Sequence, residues 1–311
     1  MNLENIRNAK SRIRPLILEN TPLVESRTTP SLFLKLENLQ VTNSFKIRGA
    51  ANKLTQIPKG SKIVTASAGN HGQAVALCSE KLGIKAKIVV PETTPKVKIN
   101  KIKQYNQELI LHGSIYDEAE DYAKEIAQKE GLDYISPYND PQVIGGQGTI
   151  ALEILAQNSD IDSIIVPVGG GGLISGIGIA AKSLKSEIKI IGVQSEASPT
   201  MYESFLAGRQ IDTKVEDSIA DGLSGNLEQG TITFELARKY VDEMIIVKEE
   251  SIRKAIRVLW EKEGQIVEGS GAVPIAAILE NKITLGKKLA AVISGSNIDT
   301  EKFMAIMGEH F

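Results

Sequence analysis

The 311-residue sequence contains a single cysteine, Cys78, which excludes a disulfide framework and which we interpret as a small buried core residue. Its formal net charge of -2 at pH 7 provides no basic field for nucleic acid or for an anionic membrane. The segment 1–5 contains neither the basic nor the apolar stretch of a signal peptide. Apolar runs such as 88–90 are far too short to span a bilayer. We therefore expect a cytoplasmic protein that binds neither nucleic acid nor membranes.

The hydrophobic content of 42% is sufficient for a large core, and the chain length indicates two lobes. Short β-rich apolar segments alternate with helical patterns, which predicts parallel sheets with crossover helices. In a first block the predicted strands are 62–67, 87–91, 108–112 and 134–136, and the predicted helices are 71–82, 96–105 and 116–130. In a second block the predicted strands are 163–168, 189–194, 243–247 and 288–294, and the predicted helices are 173–184, 231–240, 251–262 and 272–280.

The segment 137–141 is rich in turn-forming residues and is the predicted hinge between the lobes. The first block then forms a small domain over 61–139, while 1–60 and 140–311 form a larger domain. Where the lobes meet, the carboxyl ends of the strands should form the ligand crevice.

Four consecutive glycines, Gly169, Gly170, Gly171 and Gly172, follow a buried strand and precede a helix. Without Cβ atoms, such residues can turn several backbone N–H groups toward one anion beside a positive helix N-terminus. A plain turn would rarely need four glycines, because each loses much backbone entropy on ordering. The run therefore favours a phosphate site.

A nicotinamide-dependent dehydrogenase is the alternative from another class of enzyme. The run Gly176-Ile177-Gly178-Ile179-Ala180-Ala181 fits a loose G-x-G-x-x-A pattern, and Glu196 follows at roughly the expected interval of about 20 residues. However, Gly176 lies beyond the strand end, where we expect a helix, and the fingerprint needs its first glycine at the strand–helix turn.

A second polar segment, Ser67-Ala68-Gly69-Asn70-His71-Gly72, falls between a predicted strand and a predicted helix. Backbone donors at a helix start suit a carboxylate, and an asparagine amide can bond a phenolate oxygen. A simple helix N-cap is the alternative for Ser67 or Asn70. The sequence assigns His71 no chemical step, and it could be a surface or packing histidine.

Lys46 lies in the run Ser44-Phe45-Lys46-Ile47-Arg48-Gly49-Ala50. Most lysines are solvated surface charges, so the case for this one depends on its neighbours. Phe45 could cover a cofactor face, while Ser44 and Gly49 allow close backbone approach. A lysine in this setting could hold a carbonyl cofactor and then act as a general base.

Near the C-terminus, Ser294 ends an apolar strand and could hydrogen-bond a ring nitrogen, or be only a turn serine. Glu268 precedes another predicted helix and could be only a charge of the first turn.

Together these motifs resemble the serine/threonine dehydratase branch of the fold type II, tryptophan-synthase-β-like pyridoxal phosphate (PLP) enzymes, a branch that also contains serine racemases. The resemblance covers nearly the whole chain, from Thr21 to the run Ser294-Gly295-Ser296-Asn297. It implies an α/β fold with two lobes, each a mostly parallel twisted sheet flanked by helices. It also implies PLP as the cofactor, an amino acid as the substrate and a homodimer.

The resemblance implies a role for each matching residue. Lys46 resembles the lysine that holds the cofactor, and Phe45 the residue beside its ring. Asn70 matches the partner of the phenolic oxygen, and Ser294 the partner of the ring nitrogen. The implied phosphate loop is Gly169, Gly170, Gly171 and Gly172, and the implied substrate-carboxylate loop includes Ser67, Ala68, Gly69 and His71.

The implied reaction converts L-threonine, and L-serine, to a 2-oxoacid and ammonia by abstraction of the Cα proton and loss of the β-hydroxyl. A serine at the ring nitrogen makes the cofactor a weaker electron sink than an aspartate would, which favours elimination over transamination. Serine racemase and 3-hydroxyaspartate ammonia-lyase are the alternatives within the family. Family racemases have a serine acid/base at the place of Ala68, and an alanine methyl cannot transfer a proton.

Three further features set this chain apart from the family pattern. A divalent-cation site in related enzymes matches Glu196 and the carbonyl of Thr200, but Tyr202 replaces its acidic ligand, and loss of a hard anionic oxygen weakens such a site. Asn43 and Ser296 stand where family members have glycine. Biosynthetic threonine deaminases continue into a regulatory domain, so a chain that ends at Phe311 is expected to be a catabolic-type enzyme without that domain or isoleucine feedback.

Overall fold

The computed structural model describes residues 1–284 and 288–308. Within these residues ten strands form two separate sheets. The strands are β1 (Leu23–Glu25), β2 (Leu32–Leu36), β3 (Lys62–Ala66), β4 (Lys85–Val90), β5 (Glu108–Leu111), β6 (Asp133–Tyr134), β7 (Ser163–Pro167), β8 (Lys189–Ser195), β9 (Glu243–Val247) and β10 (Leu289–Ile293).

The larger sheet has six strands in the order β1-β2-β10-β7-β8-β9, and only its edge strand β1 is antiparallel to its neighbour. The smaller sheet has four parallel strands in the order β5-β4-β3-β6. Every residue of β7 and β10 is buried, as expected for central parallel strands that are covered on both faces by helices.

Twelve α-helices cover the sheets in the part of the chain that the structure describes. They are α1 (Leu3–Ile13), α2 (Lys46–Leu54), α3 (Asn70–Leu82), α4 (Lys96–Lys103), α5 (Tyr116–Glu130), α6 (Pro141–Gln157), α7 (Gly172–Leu184), α8 (Thr200–Ala207), α9 (Ile232–Tyr240), α10 (Glu249–Glu261), α11 (Gly269–Leu279) and α12 (Thr300–Gly308). No helix among the described residues is both long and apolar enough to cross a membrane.

The α/β fold class with two mostly parallel sheets is confirmed, and each predicted strand and helix overlaps an observed one. Seven elements were not predicted: α1, β1, β2, α2, α6, α8 and α12. The segment 137–141 joins β6 to α6, and its interpretation as a hinge, with the domain limits that depend on it, stays a prediction.

Helix α6 was missed because its sequence is rich in glycine, which usually disfavours a helix interior. The structure gives the reason for these glycines. A Cβ atom on Gly146 would lie 2.3 Å from the carbonyl oxygen of Arg48 in α2, and one on Gly148 would lie 2.7 Å from that of Gly176 in α7. Tertiary packing of three close helices therefore overrides local propensity here.

Three segments that follow strands converge at the carboxyl ends of the two sheets. The segment 67–69 connects β3 to α3 in the smaller sheet. The segment 168–171 connects β7 to α7 in the larger sheet, and residues 294–299 follow β10 beside it. The cleft between the sheets is therefore lined by the motifs that the sequence indicated, as expected for parallel α/β folds.

Candidate active site

A cavity at this cleft brings together residues that are distant in the sequence. Its lining residues are Phe45, Lys46, Asn70, Tyr138, Pro167, Gly169, Gly170, Gly171, Gly172, Leu173, Gly222, Leu223, Glu268, Ser270 and Ser294. Every residue predicted to bind the cofactor is among them. The residues predicted for the substrate carboxylate are not, although they directly adjoin Asn70.

Lys46 is the first residue of α2 and is part-buried at the cavity. Its Nζ atom donates a hydrogen bond of 3.0 Å to the carbonyl oxygen of Pro137 and lies 5.3 Å from the centroid of the Phe45 ring. Burial lowers the pKa of Lys46 to about 8, and the Glu268 carboxylate opposes this shift. The amine is therefore partly unprotonated near neutral pH, as a nucleophile or base must be.

The glycine run forms the turn between β7 and α7. Gly171 is the N-cap of α7 with φ +83°, a conformation that favours glycine. The N–H groups in the first turn of a helix have no intrahelical acceptor, so the start of α7 offers an anion several donors at the cavity. A Cβ on Gly170 would lie 2.5 Å from the ring of Tyr138, so a side chain here would collide with the cavity wall.

Asn70 begins α3 and is held by polar contacts on both sides. Its Nδ2 atom donates a 2.7 Å hydrogen bond to Oε1 of Glu268, and its Oδ1 atom accepts a 2.7 Å hydrogen bond from Nδ2 of Asn297. Burial raises the pKa of Glu268 to about 7, with a further contribution from the Asp221 charge, while hydrogen bonds from Asn70 and Asn297 oppose it.

Two serines line the cavity, one directly after β10 and one in the first turn of α11. Ser294 follows β10, is 2% exposed, and accepts a hydrogen bond of 3.0 Å at its carbonyl oxygen from the N–H of Phe45. Ser270 lies in the first turn of α11, and its buried Oγ atom has no hydrogen-bond partner among the described residues. A buried hydroxyl without a partner is costly, so this atom favours a polar ligand in the cavity.

The segment 67–71 divides into two parts. Residues 67–69 are half-buried before α3, and the Ser67 hydroxyl accepts a 3.2 Å hydrogen bond from the N–H of Gly69. His71 is buried, and its Nε2 atom lies 3.1 Å from the carbonyl oxygen of Ile135, so Nε2 carries the proton. Burial and the nearby charge of Lys46 lower the pKa of His71 to about 3. His71 is therefore neutral and turned toward β6.

At the predicted cation site the Glu196 carboxylate has a protein partner, and so has the Thr200 hydroxyl, whereas the implied ligand was the Thr200 carbonyl. Glu196 is exposed and accepts a 3.3 Å hydrogen bond from the N–H of Glu249. The Thr200 hydroxyl lies 2.7 Å from that of Thr213 and 3.1 Å from Oδ1 of Asn226. Within 1–284 and 288–308, no three His, Cys, Asp or Glu side chains are grouped to hold a metal ion.

The dinucleotide alternative fails on the position of its first glycine. Gly176 lies inside α7, and a Cβ there would be 2.3 Å from the carbonyl oxygen of Ile144 in α6. This glycine therefore permits close helix packing and is not part of a phosphate turn.

A buried ionic cluster beneath α2 was not predicted from the sequence. Arg48 donates two hydrogen bonds to the carboxylate of Glu37, at 2.7 and 2.8 Å, and two to that of Glu153, both at 2.8 Å. Lys35 donates to the same Glu153 carboxylate at 2.7 Å and to the Thr21 carbonyl at 2.6 Å. All four ionised side chains are fully buried, and their charges cancel. The cluster joins α2, which begins with Lys46, to α6 and to the end of β2.

Sequence reasoning also missed Tyr138 and Ser270, and it left Glu268 as a first-turn charge. The available signal was the run Glu268-Gly269-Ser270-Gly271 at the start of a helix, which has the same small and polar character as the other cavity segments. Tyr138 stands in the predicted hinge, where nothing in the sequence indicates that its ring lies against the glycine run.

The residues of the cavity suit a flat cofactor that carries both a carbonyl and a phosphate. An amine of lowered pKa, a helix N-terminus built of glycine, an amide and two hydroxyls surround one space. A side chain on Gly170 or Gly172 would collide with Tyr138, so the turn between β7 and α7 can lie beside a ligand only because these residues are glycines. The residues present therefore fit PLP.

Comparison with known proteins gives the same assignment. The family model described as pyridoxal-phosphate dependent enzyme matches residues 15–295. The L-threonine ammonia-lyase of Thermotoga maritima is 44% identical over 314 residues, which cover 99% of this chain and 78% of that protein. A catabolic L-threonine dehydratase of Staphylococcus aureus is 44% identical over 323 residues, covering 100% of this chain and 92% of that protein.

Among solved structures, maize serine racemase superposes with a TM-score of 0.91 at 35% identity, covering 98% of this chain and 96% of that one. The sequence resemblance to fold type II PLP enzymes is thereby confirmed, and the nicotinamide alternative is set aside. With a family match that extends from residue 15 to residue 295 and a cavity whose residues fit the cofactor, this chain belongs to the pyridoxal-phosphate-dependent enzyme family.

Proposed function

We propose that the protein is a PLP-dependent ammonia-lyase that converts L-threonine to 2-oxobutyrate and ammonia, and L-serine to pyruvate and ammonia. The observation that carries this proposal is the position of the Lys46 amine in the one cavity that Asn70, Ser294 and the glycine run also line. Burial there lowers the pKa of Lys46 to about 8. The L-threonine ammonia-lyase of Thermotoga maritima and the L-threonine dehydratase of Staphylococcus aureus, each 44% identical over nearly the whole chain, support the substrate class.

Each part of the cavity has a distinct task in this proposal. The N–H groups of Gly169, Gly170, Gly171 and Gly172 bind the cofactor phosphate, and Phe45 lies beside the ring. Asn70 donates to the phenolic oxygen, and Ser294 bonds the ring nitrogen. The segment Ser67-Ala68-Gly69, with His71 behind it, binds the substrate carboxylate at the start of α3, where backbone N–H groups favour an anion.

When bound, the cofactor supplies an electron sink for the electron pair released at the substrate Cα. Lys46 Nζ takes the Cα proton, because this amine lies in the cavity wall and burial lowers its pKa to about 8. The electron pair left at Cα forms a Cα–Cβ double bond while the β-hydroxyl leaves with a proton as water. Cβ then takes up a proton, and a water molecule replaces nitrogen at Cα to give the 2-oxoacid and ammonia. A serine at the ring nitrogen makes prompt elimination more favourable than transamination.

The direct test compares Lys46→Ala with Lys214→Ala, a control at an exposed lysine. The wild-type protein and the control should show the visible absorbance of a lysine-bound cofactor and should form 2-oxobutyrate from L-threonine. Lys46→Ala should lose both properties. Full activity of Lys46→Ala would contradict the proposed mechanism.

Serine racemase is the second candidate, because the maize enzyme is closely similar in structure. Ala68 stands where family racemases have a serine acid/base, and its methyl group has no proton to exchange, so we expect recovered serine to retain its L configuration. Chiral chromatography of serine after incubation measures this directly. In the Ala68→Ser variant, measurable D-serine should appear, and D-serine from the wild type would favour the racemase.

The residues of the cavity also argue against 3-hydroxyaspartate as the preferred substrate. Its second carboxylate would need a cation, yet Lys46 is the single cation among the described lining residues, and Glu268 adds a carboxyl group. Turnover of 3-hydroxyaspartate should therefore be slow relative to threonine in a 2-oxoacid assay.

We also propose a cytoplasmic homodimer without a resident divalent cation at Glu196 and Thr200. The dimer is what the family resemblance implies, and the cytoplasmic location is the expectation from the sequence. Sedimentation analysis tests whether the protein is a dimer. The rate of oxoacid formation, measured with and without a chelator, tests the need for a cation, and we expect the chelator to leave the rate unchanged.

A further inference from the structure

Four side chains from distant elements form one continuous hydrogen-bonded chain at the wall of the cavity. Lys101 in α4 donates to Oδ1 of Asn297 at 3.2 Å. Asn297, which follows β10, donates from Nδ2 to Oδ1 of Asn70 at 2.7 Å and to the carbonyl oxygen of Thr42 at 2.8 Å. Asn70 in turn donates from Nδ2 to Oε1 of Glu268 at 2.7 Å. We call Lys101, Asn297, Asn70 and Glu268 the amide relay.

The hydrogen-bonding groups around the amide relay determine the orientation of each amide, that is, which neighbour its oxygen faces and which its nitrogen faces. A lysine ammonium can only donate, so the Asn297 oxygen must face Lys101. A backbone carbonyl can only accept, so the Asn297 nitrogen must face Thr42. Both hydrogens of that nitrogen are then used, one on Thr42 and one on Asn70. The Asn70 oxygen is therefore turned toward Asn297 and away from the cofactor space.

The Glu268 carboxylate completes the arrangement on the other side of Asn70. Its Oε1 atom accepts from Asn70, and its Oε2 atom accepts a 3.0 Å hydrogen bond from the backbone N–H of Asn297. A Cβ on Gly295 would lie 2.6 Å from Oε1, so the carboxylate is closely packed against the segment that follows β10. One hydrogen of Asn70 Nδ2 is thus committed to Glu268, and the second remains for the cavity that Asn70 lines.

We infer that Asn297 and Lys101 are positioning residues that hold the Asn70 amide with its N–H, and not its carbonyl, toward the phenolic oxygen of the bound cofactor. This inference rests on the proposed function, because it needs that oxygen as the acceptor. Donation to the oxygen stabilises its ionised form. A reversed amide would place two acceptors against each other and would favour the protonated phenol.

The amide relay also joins the two sheets across the cavity. Lys101 and Asn70 belong to helices that flank the smaller sheet, while Asn297 and Glu268 follow β10 and precede α11 in the larger part of the chain. The orientation of Asn70 is therefore set by residues from both sides of the cleft.

The decisive variant is Asn297→Asp, which keeps the size of the side chain and replaces its two N–H donors with an acceptor. Asn70 should then turn its nitrogen toward residue 297 and its oxygen toward the cofactor and Glu268, whose carboxyl group has a pKa raised to about 7 by burial and can donate once it is protonated. The absorbance of the lysine-bound cofactor should shift from the visible band of the ionised phenol to the near-ultraviolet band of the neutral form. Cofactor dissociation should become roughly tenfold easier, the factor for about one charged hydrogen bond. Asn8→Asp, at an exposed position of α1, makes the same charge change and should leave the spectrum unchanged.

A double variant separates positioning from general loss of structure. In the Asn70→Ala background there is no amide to turn, so adding Asn297→Asp should cause no further spectral shift. Lys101→Met should give a smaller shift in the same direction, because it removes one of the two groups that fix the orientation of Asn297, and the Thr42 carbonyl still accepts from the Asn297 nitrogen. If Asn297→Asp does not fold, the absorbance spectrum of Lys101→Met tests the inference in its place.

The outcomes distinguish the inference from the function on which it rests. Oxoacid formation by a holoenzyme whose spectrum does not respond to Asn297→Asp and Lys101→Met would overturn the inference alone. An equal spectral shift from Asn297→Asp in the presence and absence of Asn70 would also overturn it. A wild-type protein with neither cofactor absorbance nor oxoacid formation would overturn both.

Discussion

Lys46 and Pro137 are joined by a hydrogen bond of 3.0 Å from the lysine Nζ atom to the proline carbonyl oxygen. This contact ties the first residue of α2 to the segment between β6 and α6. A neutral carbonyl stabilises an ammonium less than a carboxylate would, so burial remains the dominant influence and lowers the lysine pKa to about 8.

Attachment of PLP to the cofactor-free protein should follow the titration of Lys46. Only the unprotonated amine attacks a carbonyl, so the observed rate should rise with pH and level off above about 8. Roughly one amine in ten is then reactive at pH 7, far more than for an ordinary lysine. Rapid-mixing absorbance measurements between pH 6 and 10 would show this profile, and a midpoint near 10.5 would contradict it.

Glu268 should make the cofactor-free protein less stable as the pH rises from 4.5 to about 7. In this range the native protein keeps a proton on Glu268 that the unfolded chain has lost, so the unfolded state binds fewer protons and the free energy of unfolding falls. Glu268→Gln should remove up to about 3 kcal/mol of this fall. Urea unfolding at several pH values measures the difference, and parallel pH profiles for variant and wild type would refute the assignment.

Arg48→Met should destabilise the protein severely by leaving the buried carboxylates of Glu37 and Glu153 without their shared partner. Removal of one member of a buried ionic cluster costs about 3–5 kcal/mol. The matched control is Lys214→Met, at an exposed residue whose ion pair with Glu216 is solvated, and its unfolding midpoint should not change. If the two variants unfolded at the same denaturant concentration, the buried cluster would have no structural importance.

Gly171→Ala should be more damaging than Gly60→Ala, although both glycines have nearly the same positive φ, +83° and +85°. The strain of a positive φ costs each variant about 1–2 kcal/mol. At Gly171 the new Cβ would also lie 2.6 Å from Met201 Cε and 3.0 Å from Thr233 Cβ, whereas nothing lies within 4 Å at Gly60. Thermal unfolding and cofactor titration should therefore show a larger loss for Gly171→Ala, and equal losses would contradict the steric argument.

The sequence by itself determined the α/β fold class and most of the residues that line the cavity. Alternating apolar segments indicated the strands because buried parallel strands require continuous apolar runs. The glycine run was recognisable from its own composition, whereas Lys46, Asn70 and Ser294 received their roles from the resemblance to the family, which depends on the ordered set of motifs. None of these signals depends on contacts with distant parts of the chain.

Only the tertiary structure decided how these groups influence one another. Glycines of α6 looked unfavourable for a helix until their close contacts with α2 and α7 were visible. Glu268 became part of the site because the start of α11 lies against Asn70, and Arg48 became the centre of a buried cluster because β2, α2 and α6 meet there. The burial of a side chain, its pKa and the orientation of an amide such as that of Asn70 depend on neighbours that folding brings together. The distances to those neighbours cannot be read from the linear sequence.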